Sequence, residues 1–456
     1  MKNEKIIILD NNTAYLAGTQ AAVTFSSSGM FAEPDAKPVQ VQVAGSNKTY
    51  RGAVPWGAEN NMPSLIINKV GASPVLSSGM LFNISLGYGS GIVAGRWSTE
   101  NGQEVFTPVK DNPEINTFFE ENDIQGYLLE QLTDMNFFYN VFPEIILNRE
   151  TTPRIVSLAS KEAAFSRWEE MNTKGILENH FYSAYWNSSA KRAEPAVTPV
   201  LSTVNPVRDL RIRMGLEKND KGVKQTPKDY RFIIPVNFPT PGRSYYQKPY
   251  WYSVIESGWY DYAQKIPEFK NALMDNQMTI KYHVELSEDY FDKIFQAEGI
   301  TTDADKKARI TKEYADLNNF LSKTKNTGKT VISFIRYSPE GKEIRRMKIN
   351  VIENLFKGGE YLEDSEEASN ILSYGIGVHP SLIGSSPGKS KTINGTEARE
   401  LFIIKQSMLR PLRDRLLMPL YLIRNFNEWD KTISFDIPNI TLTTLDQGTG
   451  SKKVIS

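Results

Sequence analysis

Two Gly-Lys-Ser/Thr sequences are the first candidates for chemistry, because a glycine-rich loop followed by Lys and Ser or Thr binds nucleotide phosphates. Residues 384–390 read Gly-Ser-Ser-Pro-Gly-Lys-Ser, with three residues between the glycines where the P-loop has four. Residues 323–330 read Lys-Thr-Lys-Asn-Thr-Gly-Lys-Thr, with a lysine in place of the first glycine. A P-loop also lies between a strand and a helix, whereas the first sequence follows a predicted helix and the second precedes a predicted strand. We interpret both as turns and expect no ATPase.

Other catalytic groups are sparse. The sequence contains no cysteine, which excludes disulfides, Cys-ligated zinc, iron–sulfur clusters and thiol catalysis. Its three histidines, His180, His283 and His379, are far apart and lack an HExxH-type spacing. No Asp/Glu pair stands out beside a histidine, so a nuclease or glycosidase stays open only because any long chain can assemble such a site. We expect no catalytic residue, no metal and no cofactor.

Charge is balanced overall but segregated locally. Lys+Arg and Asp+Glu both number 53, which disfavours a protein that wraps DNA through a basic surface. Residues 323–348 contain eight basic residues against two acidic ones, and residues 353–367 contain six acidic residues against one lysine. One interpretation is two solvated faces of opposite sign. The other is a basic docking hairpin and an acidic helix beside a DNA path, where repulsion of phosphates prevents adhesion.

An aromatic stretch, Tyr245–Tyr262, contains eight Tyr or Trp residues, with Arg243 and Lys248 close by. Such side chains can stack on nucleic-acid bases. They are also enriched in subunit interfaces. We favour subunit packing.

The composition, 40% hydrophobic and 23% charged, is that of a folded protein, and 456 residues allow two or three domains. The apolar run near the start, Ile6–Leu9, is far shorter than the roughly 7–15 residues of a signal peptide or the roughly 20 of a membrane span. We expect a protein of the cytoplasm, or of a particle assembled there, with no membrane partner.

Hydrophobic periodicity predicts an α+β fold. The predicted helices are one following Pro63, Ser77–Ser85, Asn112–Thr133, Tyr250–Lys265 with a continuation at Phe269–Asn276, Thr302–Leu321, Glu360–Tyr374 and Thr396–Arg424. The predicted strands are Lys5–Asp10, Ala21–Phe25, Val39–Val43, Phe137–Asn148, Arg154–Leu158, Thr279–Leu286, Thr330–Tyr337, Glu343–Val351 and one or two within Thr432–Leu445.

The region from Ser373 to Arg424 has the most unusual order: a helix ending on glycines, a proline hinge, a Gly/Ser/Lys loop and a helix containing two prolines. Val378-His-Pro-Ser-Leu-Ile-Gly384 resembles the Val-Pro-Pro-x-Leu-Leu-Gly phrase of tailed-bacteriophage portal (head-to-tail connector) proteins, with His379 replacing the first proline. Asn394-Gly-Thr-Glu-Ala398 resembles the start of their kinked helix, and Leu409-Arg-Pro411 the Leu-x-Pro within it. By residues the resemblance covers about 373–424; by order of elements it covers most of the chain.

This resemblance implies a portal-like α+β fold with a mixed wing domain, a two-helix stem, a small α/β clip, a tunnel loop and a long kinked helix. Phe137–Leu158 resembles the wing hairpin. The short stretch after Arg424 leads us to expect that the helical crown of larger portals is absent or vestigial. The implied divisions are wing 1–249, first stem helix 250–276, clip 277–359, second stem helix 360–378, tunnel loop 379–395, kinked helix and C-terminal wing 396–445, and a flexible tail 446–456.

The resemblance also implies a function without covalent chemistry. The protein would form a homo-oligomeric ring, a dodecamer, at one capsid vertex of a virion assembled in the host cytoplasm. Double-stranded DNA would pass through its channel during genome packaging and ejection. Its other implied partners are the terminase, the major capsid protein and head-completion or tail adaptor proteins.

Three sets of candidate contact residues follow from the resemblance. The DNA-facing tunnel loop would present Ser385, Ser386, Lys389, Ser390, Lys391 and Thr392. The acidic lining of the lumen or stem would comprise Glu360, Glu363, Asp364, Glu366 and Glu367. The docking surface of the clip would comprise Arg336, Lys342, Arg345, Arg346 and Lys348.

Two other interpretations stay open. The first is a different oligomeric virion protein, such as an adaptor or tail component. The second is a DNA-processing nuclease with a carboxylate site that the sequence does not reveal.

Overall fold

A computed structural model of the chain describes residues 6–10, 13–16, 21–24, 39, 41, 49–186, 195–277, 282–286, 289–322, 335–337, 340, 343–345, 347–351, 361–383 and 395–440. The chain divides into two compact units, one formed by Met1–Asp261 with Glu366–Ser456 and the other by Tyr262–Ser365. We call the first unit the body. The second is the insert, because it is one continuous excursion of the chain between the two segments of the body.

Within the described residues the chain forms thirteen α-helices. Those that precede the insert are α1 (Met62–Gly71), α2 (Pro74–Tyr88), α3 (Pro113–Glu121), α4 (Ile124–Phe138), α5 (Pro206–Arg213), α6 (Ser253–Glu256) and α7 (Trp259–Gln277), which crosses into it. The insert contains α8 (Tyr290–Glu298), α9 (Asp303–Ser322) and the start of α10 (Leu362–Gly375). The last helices are α11 (Pro380–Ile383), α12 (Gly395–Met408) and α13 (Arg410–Phe426).

The same residues form seventeen strands, most of them short. The strands before the insert are β1 (Ile6–Asp10), β2 (Thr13–Leu16), β3 (Ala21–Thr24), β4 (Val93–Glu100), β5 (Gln103–Pro108), β6 (Asn140–Leu147), β7 (Ile155–Lys161), β8 (Ser166–Trp168), β9 (Asn179–Tyr182), β10 (Ala196–Pro199), β11 (Arg231–Ile233) and β12 (Val236–Asn237). The insert contains β13 (Tyr282–Leu286), β14 (Ile335–Tyr337), β15 (Glu343–Arg345) and β16 (Met347–Val351), and β17 (Ser434–Asp436) belongs to the body.

The strand ladders of these elements are antiparallel and form open sheets. Strand β6 is central: β7 pairs along one edge, and β11 and β12 pair in succession along the other. Strands β8, β9 and β10 form a second sheet, β17 pairs with β4 beside β5, and β1–β3 form a meander. In the insert β13 pairs with β16, and β14 with β15. Separate antiparallel sheets mixed with helices confirm the predicted α+β class.

Three helices of the body share one start signal, a capping side chain followed by proline. Ser73, Asn112 and Asn205 each accept a hydrogen bond from the backbone N–H three residues later. The proline that follows each cap needs no N–H at the first helical position. Each cap contributes about 1 kcal/mol of stability, so helices α2, α3 and α5 have fixed starting points.

The core of the body lies where α4 and α13 pack against the β6 sheet. Leu132 of α4 and Ile145 of β6 are fully buried in one apolar cluster. The same cluster contains Leu416, Leu420 and Ile423, which follow one another at four- and three-residue steps on α13. Burying a side chain of this size contributes about 1.5–3 kcal/mol. Helix α13 is therefore a structural element of the body.

The predicted helix Asn112–Thr133 is two helices in the structure. Asp123 adopts a left-handed backbone conformation (φ +41°) between α3 and α4, and its carboxylate caps α4 by accepting from Gly126 N at 3.2 Å. Helix α4 then continues to Phe138, through residues predicted to begin a strand. The local cap outweighed the apolar periodicity that runs across the break.

Prolines and glycines decide where the other long helices are interrupted. The helix predicted from Tyr250 begins as a 3₁₀ turn and α6, and Gly258 (φ +84°) separates these from α7. Helix α7 continues through Pro267 to Gln277. The helix predicted at Thr396–Arg424 is interrupted at Leu409, because Pro411 has no N–H to continue the ladder of α12. Pro419 lies inside α13 without ending it.

In the insert, Ile335–Tyr337 pairs with Glu343–Arg345 as a hairpin, as predicted, but Met347–Val351 pairs with β13. Helix α8 was missed by the sequence analysis. No single helix of the described ranges is both long and apolar enough to span a membrane, although α1 and α2 pass that test as a pair bent by 104°.

Candidate functional site at the α10–α13 hinge

Helix α10 positions the acidic candidates. Glu363 and Glu367 are exposed and lie one helical turn apart, so they share one face of α10. Asp364 and Glu366 are half-buried, and Glu360 lies outside the described residues. Two carboxylates on one solvated face form an acidic stripe, which repels phosphates.

Gly377, which follows α10, ends the helix. Gly377 adopts φ +68°, and its N–H donates to Tyr374 O at 2.9 Å. The N–H of Val378 donates to Ser373 O, also at 2.9 Å. This pair of bonds is a Schellman motif, which needs a left-handed residue and therefore favours glycine. Leu372 and Val378, at the positions where apolar residues commonly accompany such a motif, are each 1% exposed.

The residues after this stop are held against helix α2. The side-chain amide of Asn83 donates to Ile376 O at 3.0 Å in a buried position. A Cβ added to Gly79 would lie 1.8 Å from Ile376 Cδ1, so the isoleucine occupies the space that any other residue would fill. Similarly, a Cβ on Gly375 would lie 2.0 Å from Val254 Cγ1. Residues 375–378, which we call the incoming arm, are fixed by close packing and one buried hydrogen bond.

His379, where the sequence departs from the portal phrase, immediately precedes the single-turn helix α11, which begins at Pro380. His379 Nδ1 accepts from Ser381 N at 3.3 Å, and His379 O accepts from Leu382 N at 2.9 Å. The imidazole thus serves as a helix cap. A proline at this position would have no side-chain acceptor for the bond.

Helix α12 is tied back to the incoming arm. The ammonium group of Lys405 donates to Gly377 O at 2.8 Å, and burial lowers the pKa of Lys405. At the next residue, Gln406 Nε2 donates to Ile440 O at 3.1 Å. Polar side chains therefore set the position of α12.

Arg413 fixes the start of α13. Its guanidinium donates to Leu86 O at 2.8 Å and Gly87 O at 3.1 Å, in the last turn of α2. It also donates to Ile437 O and to the side chain of Asn439, at 3.2 and 2.5 Å. Burial lowers the pKa of Arg413, and the α2 carbonyls stabilise its charge because a helix C-terminus favours cations.

The six tunnel-loop candidates, Ser385 to Thr392, lie outside the described residues, as does the whole segment 384–394. Its two flanks are described: α11 ends at Ile383 and α12 begins at Gly395. The structure brings these flanks together, since α11 packs against both α12 and α2.

Three of the five basic candidates of the clip lie in the two small ladders of the insert. Arg336 pairs with Ile344, Arg345 pairs with Ile335, and Lys348 is exposed opposite Glu285 in the β13–β16 ladder. Lys342 and Arg346 lie outside the described residues.

The aromatic stretch is used inside the chain, and the predicted subunit packing is wrong for its buried members. Tyr246 stacks on Trp56 with ring centroids 4.3 Å apart, and its hydroxyl donates to Val54 O. Trp251 Nε1 donates to Asn136 O at 2.8 Å. These rings, together with Tyr252 and Tyr260, are buried within the body. Their composition resembled an interface because interfaces and cores select the same side chains.

His180 and Asp134 are among the groups of the body with strongly shifted pKa values. Burial lowers the pKa of His180 to about 3, with Lys161 and Arg167 adding to the shift. Burial raises the pKa of Asp134 to about 7, and Glu162 adds to it. Across the described ranges, no group of three or more His, Asp or Glu residues is arranged to hold a metal ion. The shifted groups bear on pH-dependent stability.

The residues that the sequence analysis missed are Gly79, Asn83, Lys405 and Arg413. A signal for the first two was present, because Gly79 and Asn83 stand four residues apart in an apolar helix, and small residues permit close approach of another segment. Lys405 and Arg413 carried no comparable signal, since charged residues on an amphipathic helix are normally solvated.

Comparisons with known proteins place the fold. No family model matches the chain, and neither does any curated protein sequence. Among solved structures, one match is a chain from the neck of an empty gene transfer agent (GTA) particle, computed with C6 symmetry. Its TM-score is 0.53 at 12% sequence identity, and the match covers 85% of this chain and 86% of that one. A chain from the virion of a native gene transfer agent (GTA) particle matches with a TM-score of 0.51 and 10% identity, covering 82% and 83%. The protein shares its fold, over most of its length, with chains of these particles.

Proposed function

We propose that the protein is the portal (head-to-tail connector) subunit of a phage or phage-like virion. One observation carries the proposal: its fold extends over 85% of the chain in common with a chain from the neck of a GTA particle. The order of hinge, loop and interrupted helix supports it. The protein forms a homo-oligomeric ring, a dodecamer, at one capsid vertex, and DNA passes through its channel during packaging and ejection.

The α10–α13 hinge suits this role because it holds the two ends of the segment 384–394 together, since α11 packs against α12. In a ring, the same segment from every copy lies at the same distance from the common axis, and in this proposal the segment 384–394 lines the channel. Lys389 and Lys391, with the neighbouring Ser385, Ser386, Ser390 and Thr392, then meet DNA phosphates transiently. The acidic stripe of α10 (Glu363 and Glu367) faces the DNA path and repels it, so passing DNA does not adhere.

The insert corresponds to the clip and the portions of the stem helices next to it. Its basic residues dock the terminase during packaging; these are Arg336, Lys342, Arg345, Arg346 and Lys348. The body is the wing, which contacts the major capsid protein. Head-completion or tail adaptor proteins take the place of the terminase after packaging.

Electron microscopy of the purified protein tests the proposal. We expect rings with a central hole and a mass of twelve chains of 51.6 kDa each. Monomers, or assemblies without a hole, would contradict a portal and favour an adaptor, a tail component or a nuclease. A nuclease assay with Mg²⁺ and Mn²⁺ separates the last of these, because a portal leaves DNA uncut under both metals.

A further inference from the structure

The loop that precedes β11 contains a turn with a defined backbone, and we call residues 218–228 the lysine loop. The N–H of Asn219 donates to Val223 O at 3.0 Å. The side-chain oxygen of Asn219 accepts from the N–H groups of Lys221 and Val223, both at 3.0 Å. Four lysines of the loop are exposed: Lys218, Lys221, Lys224 and Lys228. Because hydrogen bonds shape the turn, it presents these charges at fixed places along the chain.

The charge of the lysine loop is not neutralised within the described part of the chain. The two carboxylates at its start are taken by Arg208, which contacts Glu217 at 3.1 Å and Asp220 at 2.8 Å. None of the four lysines forms an ion pair with a described residue. Lys218 and Lys224 also lie opposite each other in a β-bridge, an arrangement that is unfavourable for like charges. The loop therefore has an excess of positive charge that an acidic partner would relieve.

Helix α3 has the opposite excess at its C-terminal end. Glu120 and Glu121 are exposed in its last turn, and Asp123 follows them. A helix C-terminus favours cations, so two carboxylates in this turn oppose the helix dipole. No basic side chain of the described residues pairs with any of the three. We call them the acidic end of α3, and it too lacks its counter-charge within its own chain.

The two charged surfaces lie on opposite sides of the β6 sheet. Asn122, inside the acidic end, accepts from Leu158 N at 2.9 Å and donates to Val156 O at 3.2 Å, both on β7. The lysine loop runs directly into β11, where Tyr230 O accepts from Leu147 N at 2.9 Å. Strands β7 and β11 pair with opposite edges of β6. The sheet therefore separates the lysine loop from the acidic end within one chain.

We propose that the lysine loop of one copy of the chain docks on the acidic end of α3 in the next copy. Two different surfaces on opposite sides of the body give a head-to-tail contact, which repeats from copy to copy. Such a contact closes into a ring when the rotation between neighbours allows it. The closed ring rests on the proposed portal function, whereas the head-to-tail contact is tested without DNA.

Reversing the charge of either surface tests the contact. The loop variant is Lys221→Glu with Lys224→Glu, and the helix variant is Glu120→Lys with Glu121→Lys. Each places like charges against each other, so the protein concentration needed for half-assembly should rise about tenfold or more in sedimentation velocity. Lys307→Glu with Lys312→Glu is the matched control, because it makes the same change of charge at exposed positions of α9 and should assemble as the parent does.

Mixing separates a specific contact from a general effect of charge. In an equal mixture, each acidic loop can meet a basic helix end and each basic loop an acidic one, so assembly should return to the parent level. A single chain with all four changes should also assemble like the parent. Parent-like assembly of either variant alone would overturn the proposal, and so would equal weakening by the control. Failure of both the mixture and the four-change chain to recover would overturn it too.

Electron microscopy of the same samples distinguishes this proposal from the portal function. Parent rings that the charge reversals leave intact would contradict the contact and keep the portal. Open chains or assemblies without a hole, broken by the reversals and restored by mixing, would support the contact and contradict the portal. A parent protein that stays monomeric at every concentration would contradict both.

Discussion

Helices α12 and α13 carry one continuous apolar stripe in the sequence but lie in two different environments. Ile404 and Met408 of α12 are 57% and 69% exposed, whereas Leu416 and Leu420 of α13 are 1% and 0% exposed. The change falls at Leu409, where Pro411 interrupts the helix. Helix α13 is held by burial, and α12 is held by the hydrogen bonds of Lys405 and Gln406.

The difference shows how one amphipathic pattern serves two purposes. The buried stripe of α13 anchors the chain in the core of the body. Because the stripe of α12 is exposed, that helix depends on a few polar contacts. It directly follows the segment that we propose faces DNA. An element with few buried contacts opens locally at lower free energy than the core does.

The largest expected effect contrasts the two stripes directly. Leu420→Ala removes a fully buried side chain and should lower the free energy of unfolding by about 2–5 kcal/mol. Ile404→Ala, at an exposed position, should change it by no more than about 0.5 kcal/mol. Urea unfolding followed by fluorescence measures both. Equal losses in the two variants would show that α12 is packed as tightly as α13.

The next largest effect concerns the packing of the incoming arm (residues 375–378) against α2. Gly79→Ala places a methyl group 1.8 Å from the present position of Ile376 Cδ1 and should destabilise the protein by about 1–3 kcal/mol. Gly71→Ala is the control, because a Cβ there meets nothing within 4 Å. Its effect should be neutral or stabilising. A stable Gly79→Ala variant with an unchanged hinge would refute the close contact.

A pH series tests whether the stability of the core, to which α13 belongs, changes independently of the local stability of α12. His180 has a lowered pKa, so its unfolded form binds a proton first, and stability falls as pH drops from about 6.5 to about 3. Asp134 has a raised pKa, so its folded form keeps the proton, and stability falls as pH rises from about 3.8 to about 7. Relative to the parent, Asp134→Asn should make stability rise more steeply with pH and His180→Leu should make it rise less steeply, each by about 1.4 kcal/mol per pH unit.

Hydrogen exchange of each variant, corrected for the intrinsic effect of pH, shows whether α12 and α13 follow the pH dependence of global stability. Amides of α13 should follow global stability across pH 4–6.5, while those of α12 should exchange by local opening at a constant free energy. Parallel behaviour of the two helices would contradict the separation.

The smallest effect is expected at the tie between α12 and the incoming arm. Lys405→Met keeps most of the side-chain length and removes the donor to Gly377 O, at a cost of about 0.5–1.5 kcal/mol. The loss should be visible as faster exchange in α12 with unchanged exchange in α13. Arg399→Met, elsewhere on α12, serves as the control.

The sequence predicted the α+β class, most helices and the strands that became β6, β7 and β13 because these depend on local periodicity and caps. It placed the breaks at Asp123 and Gly258 less well, since apolar periodicity continues across them. It also assigned Tyr246 and Trp251 to an interface, because composition does not distinguish a core from a contact between chains. The α2 contacts depend on residues more than 290 positions apart, Asn83 with Ile376 and Arg413 with Leu86, and single-sequence patterns contain no such pairing.

The central claim is that the hinge presents residues 384–394 to the axis of a ring. Cryo-electron microscopy of the assembled oligomer, with Ser385→Cys labelled by a gold cluster, locates this segment directly. We predict one ring of label density on the wall of the central channel, at the level where α10 ends. Label density on the outer rim, or an assembly without a channel, would contradict the account.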